Sequence, residues 1–266
     1  MRDNNLVLVR GAGDIATGAI QKLVRAGFMV VATEIAQPSA IRRQVALSEA
    51  VYEGSWTVED VTAVRVGSIP EAYSAMKSGQ VAIMIDPACN LLSQLQPLAV
   101  IDAILAKKNL GTSRGMAPIT VALGPGFIAG EDVDVVIETM RGHNLGRLIF
   151  KGQALPDTGV PGLIEGKGKE RVIHAPVAGT LHTIAEISDT VEKGQMIADI
   201  DGHPVVASMD GILRGLIRDG FTVTQGFKIA DIDPRDSEKE NCFTISDKAR
   251  CIGGAVLEAI LLLKKR

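Results

Sequence analysis

The run Leu6-Val7-Leu8-Val9-Arg10-Gly11-Ala12-Gly13-Asp14-Ile15-Ala16-Thr17-Gly18-Ala19-Ile20 reads as strand, turn and helix, in that order. Four consecutive apolar residues suit a strand covered on both faces, and Ile15, Ala19 and Leu23, with Ile20 and Val24 alongside, recur at helical spacing. Gly27 stops the helix, and residues 29–32 supply a second buried strand that ends in Thr33-Glu34. The unit is β-α-β. Working outward, residues 81–85, 119–123 and 133–137 read as further strands, and residues 98–106 as a helix between them. Alternation of this kind predicts a parallel sheet with helices on its faces, a Rossmann-like domain over residues 1–150.

Inside that first run, Gly11-Ala12-Gly13-Asp14-Ile15-Ala16 matches G-x-G-x-x-(G/A) between a strand and a helix, the context that gives the pattern meaning. Gly11 permits the tight turn, Gly13 lets backbone approach a phosphate, and Ala16 lets helix and strand pack closely. Free N–H groups at the helix start attract an anion. Glu34 ends the second strand, where a carboxylate accepts from ribose hydroxyls. Asp14 caps the helix and brings negative charge near the supposed phosphate, which Arg10 offsets; the plain alternative is that the glycines only close the turn. The expected binding set is Arg10, Gly11, Ala12, Gly13, Asp14, Ala16, Glu34, Arg42, Arg43 and Asp86. Arg42-Arg43 enter because guanidinium groups hold phosphate bidentately, and Arg114, Arg141 and Arg147 stand beside glycines in the same manner. Asp86 enters because ligands of open parallel sheets gather beyond the carboxyl ends of strands. Against each arginine stands a solvated face or a structural ion pair, and against Asp86 a carboxylate that caps a turn. Cys89 is weighed as a reactive thiol against a small buried hydrophobe.

Between Gly152 and Gly168 seven of 17 residues are glycine or proline, so residues 151–170 read as a linker. Beyond it, residues 175–201 laid over 207–233 at an offset of 32 are identical at eleven of 27 positions, including the whole run Ile197-Ala198-Asp199-Ile200-Asp201 over Ile229-Ala230-Asp231-Ile232-Asp233. Chance gives about two such identities. Short strands punctuated by glycine, in two copies that must cover each other, predict a small all-β domain over residues 171–236. The twofold Val-x-x-Gly pattern resembles the barrel-sandwich hybrid of biotinyl and lipoyl carrier domains. The connection Gly202-His203-Pro204-Val205-Val206 has no lysine, so covalent biotin or lipoate is not expected. Residues 237–266 end in a C-terminal helix from 247 to 264, expected to pack back on the first domain.

The composition narrows the function. With 28 Lys plus Arg against 31 Asp plus Glu and 3% aromatic residues, the chain suits neither nucleic acid nor an anionic membrane surface. Three scattered cysteines and no leader pattern point to the cytoplasm. No apolar run approaches the roughly 20 residues of a membrane span. Four histidines without ligand spacing predict no metal site, and the common hydrolase and kinase motifs are missing. No catalytic residue is singled out, and whether the chain is an enzyme stays open, as does its oligomeric state.

Together with the first glycine turn, residues 38–43, 48–54, 123–127, 137–143 and 157–162 resemble YqeB-type proteins of the selenium-dependent molybdenum hydroxylase system, over nearly the whole chain. The first domain is similar to the Rossmann part of XdhC-like accessory proteins. That resemblance implies a maturation factor for a molybdenum hydroxylase partner, with the molybdenum cofactor (molybdopterin) or a dinucleotide as the small phosphate-bearing ligand at the glycine turn. Two rivals are an NAD(P)-dependent oxidoreductase using the same turn and Glu34, and a non-enzymatic adaptor that docks a partner through the barrel-sandwich domain.

Overall fold

The computed structural model describes residues 5–265, and they divide into two units. The first comprises Met1–Pro38, Ala46–Asp157 and Ile245–Arg266, the second Ser39–Val45 and Thr158–Thr244.

The first unit holds, in chain order, β1 (Leu6–Arg10), α1 (Asp14–Arg25), β2 (Met29–Glu34), α2 (Ala50–Glu53), β3 (Ser55–Val58) and β4 (Val61–Arg65). There follow α3 (Ile69–Lys77), β5 (Val81–Ile85), α4 (Leu92–Leu95), β6 (Ala99–Asp102), β7 (Ile119–Leu123), β8 (Val135–Ile137) and β9 (Leu148–Ile149). Nine strands form one sheet in the order β3-β4-β5-β2-β1-β6-β7-β8-β9. The interior pairs are parallel, but β3 runs antiparallel to β4, and β9 antiparallel to β8. Strand order reverses at β1, because β2 lies on one side of it and β6 on the other. Every residue of β1 is buried, as a continuous apolar run on a sheet covered on both faces requires.

The second unit holds β10 (Val172–His174), β11 (Gly179–Thr183), β12 (Thr190–Val191), β13 (Met196–Ile200), β14 (His203–Val206), β15 (Gly211–Leu216), β16 (Thr222–Val223) and β17 (Lys228–Asp233). They make two four-stranded sheets, β10-β17-β15-β12 and β14-β13-β11-β16, with antiparallel pairing throughout. The repeat is visible in the pairing. A shift of 32 residues carries β11 onto β15, β12 onto β16 and the start of β13 onto the start of β17. It also turns the contact Val191↔Gly211 into an image of Gly179↔Val223. Each half thus lends its two-residue strand to the sheet of the other, and one apolar core, from Leu181, Ile197 and Ile200 to Leu213, Ile229 and Ile232, fills the space between.

The last helix, α5 (Asp247–Lys264), belongs to the first unit. It starts at Ser246, whose hydroxyl accepts from Ala249 N at 3.2 Å, and packs on α1. Gly18 and Gly253 let the two backbones meet: a Cβ on Gly18 would run into the Ala249 carbonyl, and one on Gly253 into the Gly18 carbonyl. The same helix lies over β7 and β8.

Two expectations are corrected here. The α/β architecture of a Rossmann-like parallel sheet with a biotinyl/lipoyl-like barrel-sandwich hybrid is replaced by one large mixed sheet and two antiparallel sheets. Apolar spacing locates a strand but says nothing of its direction, so the hairpin β3-β4 and the edge strand β9 were not foreseen. Residues 98–106 are not a helix, since 99–102 form β6; Ala99-Val100-Ile101 is a short buried run of the kind that periodicity cannot assign. As a result the connections β6-β7 and β7-β8 carry no α-helix, and α5 provides cover that crossover helices would otherwise give.

Candidate functional site

The glycine turn is closed by the protein's own groups. Gly11, at φ +89°, donates to Thr33 O at 2.8 Å, and a Cβ there would sit 3.1 Å from the Ala103 carbonyl. Ala12 N donates to Glu34 Oε1 at 2.7 Å, while its carbonyl accepts from Ser48 N at 2.8 Å. The second Glu34 oxygen accepts from Ile35 N at 3.1 Å. Burial pushes the Glu34 carboxyl up, and these two backbone donors only partly offset it. Gly13 is the N-cap of α1 and has no side-chain cap, with open space where a Cβ would stand. Asp14 begins the helix and Ala16 is fully buried against the sheet.

Arg10 does not reach this turn with its charge. It is 2% exposed, lies 3.6 Å from Asp102 Oδ2, and donates to Thr112 Oγ1, to Pro87 O at 3.0 Å and to Leu110 O at 3.2 Å. Thr112 in turn donates to Asp102 Oδ2 at 2.6 Å. Burial raises the Asp102 carboxyl, with Thr112, Ile104 N and Arg10 pulling the other way. Asp86 caps the turn after β5, accepting from Asn90 N at 2.9 Å, Asn90 Nδ2 at 3.1 Å and Leu91 N at 3.0 Å. Cys89 is buried with Sγ 3.7 Å from Thr33 Oγ1, and burial pushes its thiol up, so it is a poor nucleophile in this state. Arg42 and Arg43 belong to the second unit. Arg42 donates to the carbonyls of Asn241 and Thr244, and Arg43 Nε to Leu216 O at 3.0 Å. Of the ten expected binding residues, then, the structure gathers Gly11, Ala12, Gly13, Asp14, Ala16 and Glu34 around one turn, ties Arg10 and Asp86 into separate internal networks, and places the arginine pair in the other unit. Asp102 was missed because residues 98–106, which contain it, read as helix, and Thr112 with it; the signal was an aspartate closing an apolar run, as Asp86 does.

The other glycine-flanked arginines separate by partner. Arg114 pairs with Asp134 at 2.8 Å and Arg141 with Asp247 at 2.6 Å. Among the described residues the Arg147 guanidinium meets only an amide oxygen, Asn144 Oδ1, at 3.3 Å. It lines an open cleft of about 400 Å³ together with Glu138, Asn144, Lys151, Phe150 and Leu155, beside the edge strand β9. Glu138 is 3% exposed and braces the walls: Oε1 accepts from Met140 N at 2.7 Å and Oε2 from Leu155 N at 2.8 Å. Its backbone also exchanges bonds with Arg147 and Gly146, the latter at φ +80°. Lys151 is exposed and has no ion-pair partner among the described residues. The cleft thus carries two cations without a facing acid that answers them, and such a site can hold an anion. No group of three or more candidate metal ligands occurs among the described residues, and no described helix is long and apolar enough to cross a membrane.

No protein-family model matches the chain. It is 51% identical over 260 residues to the uncharacterized protein YqeB of Escherichia coli (strain K12), a match that covers 98% of this chain and 48% of YqeB. The chain therefore spans about half the length of the curated relative it matches. Among solved structures it aligns with a succinylglutamate desuccinylase from Silicibacter (13% identity, TM-score 0.25, 86% of this chain and 84% of that one). An aspartoacylase family protein from Mesorhizobium loti gives the same identity, TM-score and coverage. The protein TcdA (CsdL) aligns at 10% identity and TM-score 0.32, over 99% of this chain and 89% of its own. Likenesses this faint say nothing of what this chain does.

The expected role is corrected on the geometry of the turn. The Ala12 amide of the turn meant to grip a cofactor phosphate is taken by Glu34 Oε1. Selenium and molybdenum maturation are withdrawn. The NAD(P)-dependent oxidoreductase needed the same open turn, and the adaptor needed the barrel-sandwich unit, so both go with it.

Proposed function

We propose that the first unit binds a small phosphate-bearing ligand in the cleft beside β9. The observation that carries this reading is the pair Arg147 and Lys151, two exposed cations on one open cleft whose buried carboxylate, Glu138, is already held by Met140 N and Leu155 N. A guanidinium offers a planar fork to phosphate oxygens and an ammonium a mobile point charge, so the two bind one anion from different sides. Asn144 keeps the guanidinium of Arg147 in place before the ligand arrives. Molybdopterin and a dinucleotide both carry the group in question and serve as large probes beside inorganic phosphate and ADP. With three free cysteines, the ligand is sought among cytoplasmic metabolites.

Ligand-observed NMR titration with ADP and inorganic phosphate tests the reading. Arg147→Ala and Lys151→Ala are each expected to weaken binding about tenfold, the loss of one charge-assisted contact. Gly13→Asp, placed where a side chain meets open space, leaves it unchanged. Binding abolished by Gly13→Asp and indifferent to the two cleft variants would return the site to the glycine turn.

A further inference from the structure

The cleft is not lined by charge alone, and its apolar part says more about the ligand. Phe150 is 40% exposed and Leu155 48% exposed, both on the rim that carries Arg147 and Lys151. Large apolar side chains scattered singly over a surface need no explanation, but two on the rim of one concave site beside unanswered cations make a surface of mixed character. The walls that present them are preset, since the buried carboxylate of Glu138 ties the segment at Met140 to the segment at Leu155 and leaves neither to be ordered by the ligand. Inorganic phosphate would use only the cationic half of such a site.

We infer that the cleft takes an organic phosphate monoester whose apolar group lies against Phe150 and Leu155 while its phosphate meets Arg147 and Lys151. The inference rests on the proposed function and narrows the ligand within it. Burying one face of an aromatic ring, on the order of 60 Å² at roughly 25 cal/mol per Å², corresponds to about a tenfold gain in affinity.

Phenyl phosphate and inorganic phosphate are titrated into the full chain at one ionic strength. Phenyl phosphate is expected to bind about ten times more tightly, and Phe150→Ser and Leu155→Ser, each checked for native circular dichroism, to narrow that gap while inorganic phosphate binds each variant as before. Equal affinity for the two probes, or a gap that persists in both variants, overturns the inference but leaves phosphate binding standing. Binding of neither probe overturns the inference together with the reading on which it rests.

Discussion

The two copies of the repeat in the second unit share the run Ile-Ala-Asp-Ile-Asp, yet its aspartates live in opposite surroundings. In the second copy Asp231 is 6% exposed and Asp233 1% exposed. Asp231 lies 3.3 Å from both Arg171 and Arg214, and Asp233 accepts from Arg235 at 2.9 Å. In the first copy Asp201 is exposed and Asp199 half-buried, and what they hold is backbone: Gly202 N at 2.9 Å from Asp199 and Thr180 N at 3.2 Å from Asp201. His182 stands where the second copy has Arg214. The difference comes from what covers each sheet. Ile41, in the segment Ser39–Val45, accepts from Leu216 N at 3.0 Å and lies against Gly215, and Arg42 ties that segment to the turn at Asn241. Identical strands therefore become core or surface according to chain that lies outside the repeat.

The largest test of this contrast is the pair Asp231→Ala and Asp199→Ala. The first leaves two arginines unanswered, Arg171 in a buried place, and is expected to cost about 3–5 kcal/mol. The second removes one exposed turn contact and should cost less than about 1 kcal/mol. Hydrogen exchange at β15 and β17 amides, compared with β11 and β13, reads both without assuming that the whole chain unfolds in one step; equal costs would mean that burial of the second copy is not what holds it.

Glycines sharpen the comparison. Gly211 and Gly179 occupy matched positions at φ +148° and +152°, so both substitutions strain the backbone. A Cβ on Gly211 would strike the Asp233 carbonyl, however, whereas one on Gly179 would strike the Asp201 carboxylate, the far end of a side chain that holds only Thr180 N among the described residues. Gly211→Ala is expected to lower stability by at least about 2 kcal/mol, and Gly179→Ala by about 1 kcal/mol less. The reverse order in urea midpoints would break the argument.

The smallest effect is on pH. Burial pushes the Asp233 carboxyl up, but hydrogen bonds and charge from Arg235 outweigh it and hold it below the usual carboxylate range. The ionised form thus contributes stability that is fully present above about pH 4, the unfolded value, and is lost as pH falls through the lower folded value. Protection of β17 amides, taken relative to the intrinsic exchange rate at each pH, should fall on acidification below pH 4 in the native chain and respond less in Asp233→Asn, with Asp201→Asn as the reference. A native profile flat down to pH 2 would contradict the pairing.

Much of the element map was legible, and the reasons are local. The strand at Val81–Ile85 and that at Ile119–Leu123 are unbroken apolar runs bounded by Asp-Pro and Gly-Pro-Gly, and α5 combines a serine cap with apolar residues every three or four positions. Strand direction was not legible, because side-chain alternation is the same whichever way a strand runs. The candidate site was legible only in part. Arg147 stood out beside its glycine, but so did Arg114 and Arg141, and the sequence has no means of showing that these two meet Asp134 and Asp247 while Arg147 does not. Lys151 and Phe150 look like ordinary surface until β9 and the Glu138 brace set them on one cleft. The glycine turn erred in the other direction: its spacing promised open amides, and Glu34, 22 residues beyond Ala12, closes one of them.

Residue order alone determined the duplication, its offset and the positions of five strands of the first unit, since these depend on identities and on periods of two and 3.6 that short-range sterics impose. The tertiary structure alone decided which copy's aspartates are buried, which arginines keep an unanswered charge, and whether the glycine turn stays open. Each of those depends on a partner brought from far along the chain, and the field, solvation and space around a side chain belong to its neighbours rather than to its own sequence.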